Sequence, residues 1–215
     1  FWEDDPRRER RLELTRRVWM LRISLAKHLF MKYAELGIDE KPDCFFFCDA
    51  LKAVVGVSDE EISRLFCVNG NPTSSDCRKY VTGGWLEEYV YSLLRELVKE
   101  KVIYDLRIGM IVAPLESGVT AVMPENMTGE FDCVFTDGWR LWLVECKTLR
   151  ISQETIQKMD TNLKIHGGAL AKGILVSIRH LSSYIKKRLT FSPSVYGVDP
   201  RALSVDMLKE IILGR

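Results

Sequence analysis

The chain has 215 residues, 47% hydrophobic and 28% charged, with a formal net charge of +1. That is the composition of an ordinary globular protein, long enough for one large domain or two small ones with a sizeable core. It excludes a disordered or strongly polyionic chain, and so near zero a charge says little about partners. No signal peptide and no apolar run of membrane-spanning length is present, so no membrane partner is expected. The six cysteines are scattered, and Cys133 and Cys146 fall inside predicted core strands. Reduced thiols and a cytoplasmic location are therefore expected rather than a disulfide framework. The chain opens on Phe1 rather than Met, which leaves room for residues upstream.

Residues 1–17 are a charged mixture that reads as a frayed start or the tail of a linker. From Leu12 to Leu36 the residues Leu14, Val18, Leu21, Leu25, Leu29 and Met31 recur at near-helical spacing, and Gly37 is a stop signal. Cys44 to Val55 is an apolar block. Ser58 to Glu61 has the form of a capping box for a short helix ending near Cys67. Asn69 to Asp76 reads as a loop. Cys44, Cys48, Cys67 and Cys77 have poor spacing for a zinc knuckle, and Phe45 to Phe47 between the first two favour buried thiols.

Thr82 to Lys101 is the clearest helix, with Thr82 as its cap and Leu86, Val90, Leu93, Leu94 and Leu97 as its apolar stripe. At about 100° per residue, Glu87 lies at the edge of that stripe and Glu88 nearly opposite it. Glu87 is the better candidate to face a site; a plain solvated helix glutamate is the alternative for either. Val102 to Ala113 reads as a strand and Pro114 to Met127 as a loop.

Gly129 to Lys147 then reads as two apolar strands, Glu130–Thr136 and Arg140–Lys147, joined at Asp137-Gly138, a hairpin signal. Asp132 interrupts the first strand; Glu145 and Lys147 lie near the end of the second and, by alternation, on one face. Charges in strands so apolar are costly to bury unless paired or holding a metal. Two carboxylates beside one ammonium make a seat for a divalent cation, with a cation left over to steady an anion. Ile151 to His166 is helical and ends at Gly167-Gly168. Lys172 to Ile178 reads as a buried strand, Leu181 to Leu189 as a basic helix, Val195 to Val198 as a last strand and Ser204 to Leu213 as a closing helix capped by Ser204. Lys147, Arg150, Lys158, Lys164, Lys172, Arg179, Lys186, Lys187 and Arg188 make this segment basic. That suits a polyanionic substrate, with Arg150, Lys158, Lys164 and Lys172 as candidate nucleic-acid contacts; a solvated face matched elsewhere is the alternative.

A helix with Glu, a strand, a strand with Asp, a strand ending Glu-x-Lys, then a helix and a strand: this order resembles the restriction-endonuclease-like PD-(D/E)XK nucleases. Asp132 stands for the motif's aspartate and Glu145-Cys146-Lys147 for its (D/E)-x-K, while Phe131 replaces the proline of its name. Glu87 resembles the first-helix glutamate of Mrr-like members. Residues 83–94, 129–148 and 158–177 together are similar to the nuclease domain of CRISPR ancillary nucleases that carry a CARF sensor for cyclic oligoadenylate. The likeness covers about residues 82–215. Residues 1–81 show no Rossmann-like CARF pattern, so a sensor lies upstream of this chain, is missing, or has been replaced.

The resemblance implies an α/β, three-layer core with a mixed central sheet (82–215), preceded by a mainly helical N-terminal region (1–81). It implies a metal-dependent endonuclease acting on DNA or RNA, single strands favoured, with Mg²⁺ or Mn²⁺ held by Asp132, Glu145 and the Cys146 main-chain carbonyl. Lys147 would orient water or neutralise the transition state, and Glu87 would join the site; Gln157 is a weaker candidate. Trp85 and Trp139 are expected to pack rather than stack on a base. A homodimer in antiviral defence, switched by a cyclic oligoadenylate bound elsewhere, is the leading expectation. A repair or site-specific nuclease of the same fold and a non-catalytic nucleic-acid-binding module are the alternatives.

Overall fold

A computed structural model describes residues 7–35, 44–68, 71–72, 74–112 and 129–214. The chain divides into two compact units, Pro6–Tyr89 and Val90–Arg215. The division falls within a helix, between Tyr89 and Val90, about eight residues beyond the boundary expected from sequence.

The first unit is mainly helical. Helix α1 spans Arg8–Glu35, so most of the charged opening stretch is helical rather than frayed. The reason is burial: Arg11 is 1% exposed, and Leu14, Val18 and Leu25 form the apolar stripe below it. The C-terminal half of that stripe is less covered, with Leu21 and Met31 exposed. The apolar block is helix α2, Cys44–Val55, which packs on α1 and brings the Phe46 ring edge-on to Tyr33 at 4.9 Å.

Helix α3, Asp59–Phe66, starts where expected, with the Glu61 N–H donating to Ser58 Oγ at 3.1 Å. The Glu61 carboxylate completes no box; it pairs with Arg17 of α1. The stretch 69–76, expected as a loop, lies partly outside the described residues. Its described part is ordered differently: β1 (Cys67–Val68) pairs antiparallel with β2 (Asn71–Pro72), and α4 begins at Ser74 and runs to Lys79. Cys48 and Cys77 are buried free thiols with sulfurs 3.2 Å apart; the side chains of Cys44 and Cys67 lie outside the described residues.

Helix α4 passes without a break through a π-helical turn, Tyr80–Gly84, into α5, Trp85–Lys99. Thr82 is therefore not a cap. Its hydroxyl donates back to the Arg78 carbonyl at 2.8 Å, as a hydroxyl inside a helix does. Glu88 is not a solvated residue either: it is 3% exposed, bound to Arg11 and to Thr15 Oγ1 at 3.2 Å. One-sided periodicity misplaced it because α1 covers the side of the helix opposite the stripe.

The second unit carries a five-stranded sheet ordered β3-β4-β5-β6-β7. Its strands are Tyr104–Val112, Gly129–Thr136, Leu141–Lys147, Lys172–Ser177 and Val195–Val198. β3, β4 and β5 are antiparallel; β5, β6 and β7 are parallel. The sheet is mixed, as expected. The loop expected at 114–127 lies outside the described residues. After β5 comes α6 (Gln153–Asn162), extended by a π turn to Gly167 and a short 3-10 turn. Helices α7 (Ser183–Leu189) and α8 (Val205–Leu213) follow, capped by Ser182 and Ser204.

Leu143 and Leu175 pack with Ile156, Met159 and Leu163 of α6 and Ile185 of α7 in one core cluster. The alternate residues Cys133, Phe135, Trp142, Val144, Ile174 and Val176 are also buried, so both faces of the sheet are covered, the condition for a three-layer arrangement.

The β4–β5 turn is organised by Asp137. One oxygen accepts from the Trp139 and Arg140 N–H groups at 3.0 and 2.8 Å. The other accepts from Arg140 Nε at 2.7 Å and Trp142 Nε1 at 2.9 Å. Gly138, at φ +92°, supplies the backbone conformation that a side chain disfavours. Burial pushes the Asp137 carboxyl up, but these donors outweigh it and hold it below the usual carboxylate range. A depressed carboxylate contributes stability above its unfolded value of about 4, and this is lost as pH falls through the lower folded value. Asp137→Asn should lower the urea midpoint at pH 7 by the equivalent of about 1–2 kcal/mol. The gap to wild type should close as unfolding is repeated toward pH 3; a gap that persists there would assign the loss to turn geometry instead of charge.

Candidate active site

The site is built where the central ladder runs out. Strands β4 and β5 pair as far as Cys133 and Val144. One step on come Asp132 and Glu145. There the Cys146 N–H donates to Asp132 Oδ2 at 2.5 Å, so a side-chain carboxylate takes the place of a main-chain acceptor. On its other side β5 stays paired with β6, Glu145 opposite Leu175 and Lys147 opposite Ser177. Glu145 and Lys147 share the face of Leu143, and their side chains form an ion pair, 13% and 40% exposed respectively.

The electrostatics follow from that crowding. Burial, then the Glu145 charge, push the Asp132 carboxyl up to about 7, against the pull of the Cys146 N–H and Lys147. Burial works to lower the Lys147 ammonium, but its contact with Glu145 and the charges of Glu145 and Asp132 prevail and hold it above its ordinary value. One cation is thus shared by two carboxylates, one of which burial and its neighbour push toward the neutral form.

Beside this group lies a cavity of about 240 Å³ lined by Glu145, Lys147, Ser152, Glu154, Thr155, Lys158, Met159 and Asn162. Ser152 and Thr155 close a reciprocal capping box that starts α6 at this point. Glu154, Thr155 and Asn162 were not singled out from the sequence. The signal was there: 154, 155, 158, 159 and 162 follow helical spacing directly after the Glu-x-Lys strand.

Of the basic residues proposed for nucleic acid, Lys158 lines this cavity. Arg150 lines a separate one formed after β5 and β6. Lys172 stands opposite Trp142 at the start of β6, roughly 17 Å along the strand from Ser177 and Lys147, and donates to the Pro193 carbonyl. Lys164 lines another concavity with Ala171 and Pro193. Gln157 is exposed and is not among the residues lining the 240 Å³ cavity. Glu87 belongs to the other compact unit and is half-buried. Trp85 packs as expected, 2% exposed with its ring 6.4 Å from Trp19. Trp139 does not: at the tip of the β4–β5 turn it is 89% exposed, the packing position having gone to Trp142. Among the described residues, no helix is long and apolar enough to cross a membrane.

The model of the Card1-like endonuclease domain matches residues 74–199. Two solved structures share the fold. Can2 from Sulfobacillus thermosulfidooxidans, determined with cyclic tetra-adenylate, superposes with a TM-score of 0.62 at 24% identity over 98% of this chain. Protein VC1899 from Vibrio cholerae superposes with a TM-score of 0.63 at 18% identity over 99% of it. The chain spans 58% and 57% of those two proteins. No curated protein matches it.

Proposed function

Because the chain belongs to the Card1-like endonuclease domain family, we propose that it is a metal-dependent nuclease that hydrolyses phosphodiester bonds in DNA or RNA, single strands favoured. The observation that carries this reading is the convergence of Asp132, Glu145 and Lys147 where β4 and β5 part. In the cell it acts in the cytoplasm as an effector of CRISPR-type antiviral defence, as a homodimer. A cyclic oligoadenylate activates it through a sensor domain other than the residues described. The cyclic tetra-adenylate bound by the similar Can2 supports that trigger.

The donor set fits Mg²⁺ or Mn²⁺. Asp132 and Glu145 offer hard oxygens, and the rise of Asp132 to about 7, caused first by burial and then by the Glu145 charge, leaves room there for added positive charge. Among the described residues, no three His, Cys, Asp or Glu side chains form a metal cluster; the Cys146 carbonyl and water would complete the shell, in keeping with the one or two carboxylates Mg²⁺ usually takes. The ion, when bound, lowers the pKa of water and stabilises charge on the phosphate. Lys147 holds a positive charge at the open edge of the pair, where it donates to the attacking water or to the scissile phosphate. Lys158 draws the strand into the cavity.

The test is cleavage of labelled single-stranded DNA, duplex DNA and single-stranded RNA in Mn²⁺, Mg²⁺ or EDTA, each with and without cyclic tetra-adenylate. Cleavage that requires metal and disappears in Glu145→Ala is expected. Turnover in EDTA, or undiminished in Glu145→Ala, would remove this centre from the reaction. Cleavage that ignores the cyclic nucleotide would move the trigger elsewhere.

The role proposed for Glu87 is tested by substitution. Glu87→Gln should lower the single-turnover cleavage rate more than Glu88→Gln at a temperature where both are folded, while Glu88→Gln should lower the urea midpoint more. Equal rates in Glu87→Gln and wild type would take Glu87 out of the mechanism.

A further inference from the structure

Next to the Glu145–Lys147 cavity, a second concavity of about 370 Å³ is lined by Arg150, Ile151, Arg179, His180, Leu181 and Ser182. Among the described residues, no carboxylate lines it. Its walls are the two segments that leave β5 and β6, and these strands are parallel and end abreast, Lys147 opposite Ser177. The buried Ser177 hydroxyl ties the segments together: it donates to the Leu149 carbonyl at 2.9 Å and accepts the Arg179 N–H at 3.0 Å. The Ile178 N–H adds a bond to the Lys147 carbonyl at 3.2 Å. Arg150 and Arg179 therefore leave from one pinned junction, three and two residues beyond the paired strand ends.

A third segment orients the imidazole. His180 Nδ1 lies 2.9 and 3.1 Å from the two carboxylate oxygens of Asp199, after β7. Asp199 is itself held by the Arg201 N–H at 3.1 Å. With Nδ1 committed to a carboxylate, Nε2 is the nitrogen left for a ligand. Two guanidiniums of the kind that binds phosphate bidentately, an oriented imidazole and a serine line one cavity, a set of donors suited to an anion.

We propose that this cavity seats a phosphate of the nucleic-acid strand flanking the linkage cleaved at Glu145 and Lys147. The anion chemistry stands on these residues alone; its assignment to a strand rests on the nuclease reading. The seat would set where the strand is cut relative to its path, because Arg150 and Lys147 belong to one short run of chain.

Two measurements on the full chain test it. The first is a titration with inorganic phosphate at constant ionic strength, read on the imidazole NMR signals of the three histidines. The His180 signal should move saturably, those of His28 and His166 should not, and Arg179→Ala should abolish the movement. An unmoved His180 signal overturns the receptor. The second is binding of a labelled single-stranded oligonucleotide in EDTA, by anisotropy across salt concentrations. Arg179→Ala should weaken binding about tenfold and flatten the slope of log affinity against log salt by about 0.7–1. Lys99→Ala, an equal charge loss on an exposed residue of α5, should leave that slope unchanged. An Arg179→Ala slope equal to wild type overturns the assignment to a strand. A chain that binds and cleaves no oligonucleotide while phosphate still moves His180 overturns the nuclease reading and leaves the receptor standing.

Discussion

Lys147→Ala should reduce cleavage by about 10²–10³-fold, the usual loss when one pre-placed charge is removed from a transition state, while leaving the chain folded. Lys147 is 40% exposed and ends its strand, so no core packing is lost. What is lost is the single ammonium shared by Asp132 and Glu145. Without it the two carboxylates repel more strongly, and the ionised state of Asp132 becomes harder to reach. Raising Mn²⁺ should therefore restore metal occupancy without restoring the rate. Single-turnover rates at saturating metal, beside oligonucleotide affinity in EDTA, separate the two effects. A rate within threefold of wild type would show that Lys147 only steadies Glu145.

Arg11→Ala should be the most destabilising single change in the helical unit, costing about 3–5 kcal/mol, as expected when one partner of a buried ion pair is deleted. Arg11 and Glu88 are 1% and 3% exposed. Arg11 Nε donates to Glu88 at 3.0 Å, Thr15 Oγ1 donates to the second carboxylate oxygen, and the Tyr80 hydroxyl lies 3.0 Å from Thr15. Burial already pushes the Glu88 carboxyl up, with Arg11 and Thr15 pulling it back. Once the guanidinium is gone, folding must bury that carboxyl neutral or leave it charged and alone. A carboxyl raised in the folded state loses stability as pH rises above its unfolded value, so the deficit should be larger at pH 8 than at pH 5. The Arg11→Met, Glu88→Leu double variant should recover most of the loss. Urea midpoints of the singles and the double at both pH values decide it, and a double as unstable as Arg11→Ala would point to lost packing rather than an orphaned charge.

Much of the sheet unit was legible because its signals are local. Asp137-Gly138 marked the hairpin, alternation put Glu145 and Lys147 on one face, and Ser204 announced α8. The matching element order and short motifs indicated the fold that the comparisons support. What the sequence hid depends on contacts between distant segments. Glu88 read as pointing away from the core, opposite the apolar stripe, because a helix's own periodicity contains no trace of α1 lying on its far side. Thr82 read as a cap because nothing local reveals that a π turn carries one helix into the next. Trp139 and Trp142 are alike in one dimension, and only the turn geometry decides which is buried. The receptor of Arg150, Arg179 and His180, with the Asp199 that orients the imidazole, draws on segments after three different strands, so no single stretch of sequence advertises it.

The carboxylate of Asp132 is held by the main-chain N–H of residue 146. Every amino acid except proline supplies that N–H. Exchanging Cys146 for any residue but proline therefore keeps that donor, and the carboxylate is tied to the course of the main chain rather than to the middle letter of the Glu-Cys-Lys triplet.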